Sequence, residues 1–480
     1  MNDRIEKNNL KVLGYALLAL YIIAAICFLF FGGRMNLLPF NFMVIIGIIQ
    51  AIIAVVFAIM HEKKVQSIIA SILSGLLIAI FIVGMVYSQK TTETIAEVSV
   101  PELQTDVIAV YVMENNRAQV LEDMTDYTFG VIANVDKDNV DKTITELETT
   151  LGQTLRTKEY EDMLVMMDEL KSTKLNAIII NEAYTGVISD DEDYEWVATD
   201  LRKITDVRHQ VEIQAVVPIE VPVQVPDSFI MYISGIDTYG EISAKSRSDV
   251  NILAVVNTKT KNILLLSTPR DAFITYPQTN GVRDKLTHAG IYGIDQSIAA
   301  LDTLYDINVN YFMRVNFSGF EQIVDALGGI DVNSEYEFSV QNIRTYHVGT
   351  NHLSGIEALA FARERKSFAL GDIQRGRHQM EVIRAVISKL ASSALLTNYT
   401  SVLGAISGSF ETNMPADQIA GLVKMQLSDM AEWTVISYTT TGANVRAQTY
   451  LMPGRSLSVI DLSDEAIAEA KKLIKDTVGE

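Results

Sequence analysis

A single cysteine, Cys27, is all the sulfhydryl chemistry this 480-residue chain has, and it lies within a long apolar run. The remainder of the sequence therefore has no disulfide staple and no thiolate metal site, so its domains must be held by ordinary hydrophobic cores. Among the six histidines no Cys/His metal spacing is found. There is likewise no G-x-S-x-G nucleophile elbow and no P-loop, which leaves serine-hydrolase and nucleotide-motor chemistry without a motif. Basic residues are also scarce, 39 Lys/Arg against 59 Asp/Glu. Seven of the former and three of the latter lie in residues 1–90, leaving 32 and 56 in the remainder, a net charge of −24. A region that acidic repels nucleic acid instead of gaining affinity by counterion release, and any phosphate it binds requires a local arginine cluster.

What the first 90 residues do contain is three apolar runs, about 12–31, 37–60 and 68–87, without an interior charge. Each is near the ~20 residues that a helix needs to cross ~30 Å of hydrocarbon. Arg4, Lys7 and Lys11 precede the first run and Lys63 and Lys64 lie between the second and third, whereas the region after the third is acidic: Glu93, Glu97, Glu102 and Asp106. By the positive-inside rule the amino-terminal tail is cytoplasmic and residues from about 90 onward are extracytoplasmic, which describes a multi-pass cell-membrane protein.

The soluble region divides by pattern. Residues 91–104 read as a polar stalk. Residues 105–215 read as an α/β accessory domain, with strands at 106–112, 129–133 and 177–181 and helices at 141–151 and 157–170, and no catalytic constellation. Pro218, Pro222 and Pro226 recur in a valine-rich run, which excludes a helix and marks a linker or edge strand. A second α/β domain is expected over 229–392, with strands at 229–234, 250–256, 263–266, 311–315 and 330–332 and helices at 296–304, 320–327, 355–363 and 372–390. Residues 393–480 are expected to form an extension packed on or beside it, with a strand at 433–438 and a last helix at 464–474.

Arginines and aspartates gather at the ends of these elements. Arg247 and Asp249 flank Ser248, Arg270 and Asp271 follow a strand, Arg363 and Arg365 end a helix, and Asp372 and Arg375 open another. Guanidinium forks match phosphate oxygens, and ligands of open α/β sheets bind beyond the strand ends. The pattern points to recognition of a doubly charged group such as pyrophosphate. Asp237 and Asp249 are candidate ligands for a hard cation, Mg²⁺ or Mn²⁺, that bridges carboxylates to substrate phosphates. Each pair taken singly is also compatible with a structural ion pair.

The ordered set Gly235-x-Asp237, Arg247-Ser248-Asp249, Thr268-Pro269-Arg270-Asp271, Lys285-Leu286-x-His288-Ala289, Val324-Asp325-Ala326-Leu327-Gly328-Gly329, Ala360-Phe361-Ala362-Arg363-x-Arg365 and Gly371-Asp372-x-x-Arg375-x-x-His378-Gln379 resembles the LytR-CpsA-Psr family. The three spans and the accessory region resemble its streptococcal capsule-associated branch. The resemblance implies an α/β/α sandwich with an apolar slot for a polyprenyl chain. It implies a Mg²⁺-dependent phosphotransferase that moves capsular polysaccharide from an undecaprenyl-pyrophosphate carrier to peptidoglycan through a phosphodiester. The implied partners are the lipid-linked glycan, peptidoglycan, the membrane and capsule assembly proteins. Carried onto this chain, Asp237 and Asp249 are the metal-associated carboxylates. Arg247, Arg270, Arg363, Arg365 and Arg375 form the phosphate clamp, Gln379 supports it, and Asp249 helps to activate the acceptor hydroxyl. On this reading Arg270→Ala weakens prenyl pyrophosphate binding much more than it weakens the fold. His378 and Thr287 depart from the residues common in the family, His378 where arginine is frequent. Two other readings are compatible with the sequence: a non-enzymatic membrane regulator of capsule synthesis, and hydrolysis of a lipid pyrophosphate by water.

Overall fold

A computed structural model of the chain describes residues 2–34, 38–98, 103–212, 225–236, 238, 242–369, 371–392, 402, 404–405 and 408–479. Asp237 and almost all of the proline-rich run fall outside the described residues.

Three helices, α1 (Asn2–Arg34), α2 (Phe40–Met60) and α3 (Lys64–Val98), are each long and apolar enough to cross a membrane. Their contact is small: Leu18, Tyr21, Ala25, Phe57, Ala70 and Phe81 are buried between them, whereas residues such as Ile23, Ile48, Ile72 and Val86 face outward. Outward apolar faces are what lipid accommodates and water does not. At the cytoplasmic end Lys11 pairs with Glu62 at 2.7 Å. With the charge bias described above, the chain is a multi-pass membrane protein with a cytoplasmic N-terminus. The stretch expected to be a polar stalk begins as helix: α3 continues through Val98.

Next come β1 (Leu103–Met113), β2 (Thr128–Ile132), α4 (Lys137–Leu151), β3 (Arg156–Tyr160), α5 (Met163–Lys171), β4 (Ala177–Asn181), α6 (Ala183–Ser189) and β5 (Leu201–Glu212). The strands form one sheet in the order β3-β2-β4-β1-β5, with β1 antiparallel to both neighbours. The helix expected over 157–170 is two elements: Arg156–Tyr160 pairs in parallel with β2, and the helix starts only after Asp162, whose carboxylate caps it by accepting from Leu164 N at 2.7 Å.

The second sheet is built from β6 (Ser228–Ile236), β7 (Ser248–Asn257), β8 (Asn262–Ser267), then, after the short pair β9 (Phe273–Ile274) and β10 (Asp284–Lys285) and helices α7 (Leu286–Tyr292) and α8 (Ile294–Tyr305), β11 (Tyr311–Val315). Helix α9 (Phe317–Ala326), the small strands β12 (Ile330–Ser334), β13 (Phe338–Val340), β14 (Arg344–Tyr346) and β15 (Gly349–Leu353), and helices α10 (Gly355–Arg363) and α11 (Asp372–Leu390) follow. The chain ends with β16 (Phe410–Thr412), α12 (Ala416–Asp429), β17 (Thr434–Thr439), β18 (Gly442–Ala447), β19 (Leu457–Leu462) and α13 (Asp464–Val478). The six-stranded sheet runs β16-β11-β6-β7-β8-β17.

Its central strands read as unbroken apolar runs because both faces are covered. Period-2 alternation sends Tyr232, Leu253, Val255, Leu264 and Leu266 to one face, under α7, α8 and α13. The alternate residues Phe229, Ile252, Ala254, Ile263 and Leu265 meet Met380 and Ile383 of α11 and Ile419 of α12 on the other. This is the expected α/β/α sandwich. The C-terminal segment does more than pack beside it: β16 and β17 are the two edge strands of the sheet.

Candidate phosphate site

Because β7 runs antiparallel to both β6 and β8, the end of β6, the start of β7 and the end of β8 meet at one edge. Arg247 and Asp249 are therefore brought beside Arg270, and the amino end of α11 adds Asp372 and Arg375. Close packing places these segments. A β-carbon on Gly376 of α11 would lie 2.7 Å from Ser267 Oγ, at the end of β8, and one on Gly290 of α7 would lie 2.8 Å from the backbone of residues 246 and 248.

Arg247, Arg270 and Arg375 are all buried. Arg270 Nη1 donates to both oxygens of Asp249, at 2.9 and 3.0 Å, and Thr287 Oγ1 donates to the same carboxylate at 3.1 Å. Thr287 thus holds Asp249. Arg270 Nε lies 3.9 Å from Asp271, which pairs in turn with buried Lys285 at 3.0 Å. Arg375 pairs with Asp372 at 2.7 Å.

The electrostatics separate the carboxyls. Burial opposes the charge on Asp249, but Arg270, Arg247 and Arg375 outweigh it and hold its carboxyl well below the usual range. Burial and the neighbouring Asp271 push Asp372 upward against the pull of Arg375 and Arg270. A carboxylate as strongly held as Asp249 is a poor proton acceptor, since an effective base has a proton affinity near the working pH. Asp249 anchors Arg270 through both of its oxygens.

The remaining expected residues are placed differently. Gln379 is buried one turn beyond Arg375 on α11. Arg363 is exposed and stacks on Phe317 with its guanidinium carbon 4.2 Å from the ring centroid; Phe317 N in turn donates to Thr238 O at 3.1 Å, so Arg363 lies over the loop that follows β6. Arg365 is exposed beside it in sequence and stands outside the buried cluster. Asp237 is not among the described residues. His378 does not replace a phosphate-binding arginine: it is buried, stacked 4.3 Å from Phe361 and 5.4 Å from Phe338, and bonded to Gln374 at 3.1 Å. Burial lowers its pKa to about 4.

One member of the cluster was not legible in the sequence. Asp190, which follows α6 of the accessory domain, pairs with Arg247 at 2.8 Å and with Arg270 at 3.2 Å, and Arg247 also donates to Gly186 O at 2.9 Å. Burial opposes the charge on Asp190, but Arg270, Arg247 and Lys285 hold its pKa down at about 2. The accessory domain, read from sequence as without site residues, closes one side of the arginine cluster. Nothing local distinguishes Asp190 among its acidic neighbours Asp191, Glu192 and Asp193, and only the tertiary docking of α6 singles it out.

An α/β/α sandwich behind membrane spans, with buried arginines and carboxylates gathered at the strand ends, defines a membrane-anchored α/β domain with a charged cluster at its sheet edge. A family model described as the LytR_cpsA_psr family matches residues 195–464, and the chain belongs to that family. The teichoic acid transferase TagU of Bacillus cereus is 37% identical over 206 residues, covering 43% of this chain and 66% of the relative. TagT of Bacillus subtilis is 30% identical over 264 residues, covering 53% of this chain and 78% of the relative. A solved structure described as TagT bound to LIIa-WTA is 30% identical, covers 53% of this chain and 92% of that one, and superposes with a TM-score of 0.44. The chain spans 66% and 62% of the lengths of two TagU relatives, those of Bacillus cereus and Bacillus mycoides. These relatives correct the narrower expectation: the similarity is to Bacillus wall teichoic acid transferases, TagU and TagT, and not to a streptococcal capsule-associated branch.

Proposed function

We propose that the protein transfers a glycopolymer from a membrane polyprenyl-pyrophosphate carrier to peptidoglycan. The observation that carries the reading is the buried triplet Arg247, Arg270 and Arg375, gathered where strand ends meet the start of α11 in a domain belonging to this family. An acceptor hydroxyl oxygen attacks the phosphorus that bears the glycan. The bond from that phosphorus to the bridging oxygen breaks, a glycan–phosphate–peptidoglycan diester forms, and polyprenyl phosphate leaves. The arginines bind the pyrophosphate oxygens and offset charge on the leaving group. The proton released by the acceptor goes to a carboxyl at the mouth. Asp372, whose proton affinity is raised, is better suited to receive it than Asp249.

A support for the lipid path is the apolar layer between the sheet and α11 and α12, where Met231, Ile233, Val250, Ile387 and Leu422 are only partly buried. Helix α12 also touches α3, which links this layer to the membrane anchor. A tail housed there would stay out of water, which contributes about 0.8 kcal/mol for each buried methylene.

Mg²⁺ suits the chemistry of the donors, all of them carboxylate oxygens, and Asp249 is held ionised with lone pairs beyond those used by Arg270. Asp249, with Asp237, would hold the ion; when bound it would offset further negative charge on the pyrophosphate.

The test uses the full chain in detergent micelles with peptidoglycan and a polymer linked to polyprenyl pyrophosphate, teichoic acid in one arm and capsular polysaccharide in the other. Covalent conjugate with release of prenyl phosphate in either arm supports transfer, and the productive arm identifies the polymer. Prenyl phosphate released equally without peptidoglycan would identify a hydrolase, and no product in either arm would refute the reading.

A further inference from the structure

Beside the arginine cluster, and separate from it, a cavity of about 630 Å³ opens between the accessory and catalytic domains. This is within the range of roughly 300–1,000 Å³ of small-molecule sites, but its walls are far more polar than is usual for them. One wall, from the accessory domain, carries Asp106, Asp136, Asn181 and Tyr184; the other carries Lys245 and Tyr292. The carboxylates are held rigidly. Asn181 Nδ2 donates to Asp106 at 3.1 Å and to Asp136 at 2.7 Å, and Asn139 Nδ2 donates to the same two at 3.1 and 2.9 Å.

The cations at the cavity are already committed. Lys245 pairs with Asp106 at 3.1 Å, and Arg455 pairs with Asp191 at 2.8 Å and Asp193 at 2.7 Å. With those charges neutralised, Asp136, Glu161 and Asp162 leave the lining acidic. A phosphate or uronate would be repelled. Rigid carboxylate and amide oxygens, backed by tyrosine rings, suit a ligand rich in hydroxyl or ammonium donors that also offers C–H faces for stacking. Burial and the nearby Asp106 raise the pKa of Asp136, which a donor from a ligand would relieve.

We propose that this cavity binds a sugar unit, uncharged or amino-bearing, of the glycan whose pyrophosphate lies in the arginine cluster. The identity of the ligand rests on the transfer reading; the existence of the site does not. Helix α6 supplies the spacing: Tyr184 near its start lines the cavity, and Asp190 just past its end meets Arg247 and Arg270. Six residues of helix rise about 9 Å, the reach of one or two sugar rings. The accessory domain thereby reads the polymer near its linkage to the carrier.

The experiment is saturation-transfer NMR on the full chain in a zwitterionic detergent that has no sugar head group. The probes are diacetylchitobiose, its deacetylated diamine and digalacturonate. The first two are expected to bind and the acidic one not to. Asp136→Asn should weaken the diamine at least about fivefold; asparagine tolerates the left-handed backbone (φ 50°) found there, and its amide turns one of the bonds accepted from Asn181 and Asn139 into a donor–donor contact, so the thermal midpoint is followed in parallel. Asn134→Trp, at an exposed position on the rim, should abolish both signals. Inorganic pyrophosphate, which competes for the arginines, should not displace either sugar. Absence of both signals, preference for digalacturonate, indifference to both substitutions, or displacement by pyrophosphate would each overturn the proposal. Sugar binding without conjugate formation would leave the cavity standing and defeat transfer; conjugate formation without sugar binding would do the reverse.

Discussion

Replacing Asp190 by asparagine removes a fixed anion from between Arg247 and Arg270, where an incoming pyrophosphate has to compete with it. The strength of that competition follows from the carboxyl itself. Its pKa falls from 3.8 to about 2, and its side chain is only 13% exposed, so solvent screens it little. At ~1.4 kcal/mol per tenfold, the depression corresponds to about 2 kcal/mol of net attraction to its surroundings. If a diphosphate must displace all of it, Asp190→Asn tightens binding by at most roughly 30-fold, and partial displacement gives about tenfold. The assay is calorimetric titration of the full chain in micelles with farnesyl pyrophosphate at fixed salt. The same substitution has a cost in the fold. A depressed carboxyl stabilises above its unfolded pKa near 4, and that contribution fades as the pH falls through about 2. Asp190→Asn should therefore lower stability by up to about 2 kcal/mol at pH 7 and by almost nothing below pH 2. Farnesyl pyrophosphate binding that is unchanged or weaker in Asp190→Asn would refute the view that accessory domain and lipid head group share the same arginines.

Arg270→Ala should abolish farnesyl pyrophosphate binding and also destabilise the protein by about 3–5 kcal/mol in denaturant titration, because Asp249 and Asp190 would keep buried charge without its main partner. Gly186→Ala should weaken farnesyl pyrophosphate severalfold with an unchanged circular dichroism spectrum, since the new β-carbon would lie 2.7 Å from the Arg247 guanidinium and the flexible side chain must move. His378, with a pKa lowered by burial to about 4, favours the fold while neutral, so stability is fully present above its ordinary value of 6.5 and declines as the pH falls from there toward 4. Between pH 7 and 5 the loss should be about 2 kcal/mol in denaturant titrations of the native protein, and His378→Phe should abolish that part of the slope.

Much of this was readable in advance where one local signal suffices. Uncharged runs and lysine placement located the spans, and the alternation in β6, β7 and β8 located the sheet. The Arg-Asp pairs at strand ends located Arg247, Asp249 and Arg270. The failures share a cause. Arg156–Tyr160 is strand because β2 lies beside it, His378 is a core residue because Phe338 and Phe361 flank it, and Asp190 is at the site because α6 docks there. None of these neighbours is near in sequence, so no window of the sequence reports them. Arg363 and Arg365 look equivalent to the buried arginines by type and differ only in burial, which depends on where α10 ends.

The continuity of α3 sets a height. From Tyr87, where its apolar run ends, to Val98 is eleven residues of helix, a rigid post of about 16 Å between the hydrocarbon and the accessory sheet. Within such a post direction is tied to elevation, since each residue added or removed turns the upper end of the helix by about 100°. Removing one residue would turn the face that α3 presents at its upper end away from α12, whereas removing seven, two full turns, would lower that end by about 10 Å with its bearing nearly restored. The anchor is in this sense a gauge, graduated in steps of about 1.5 Å per residue above the hydrocarbon.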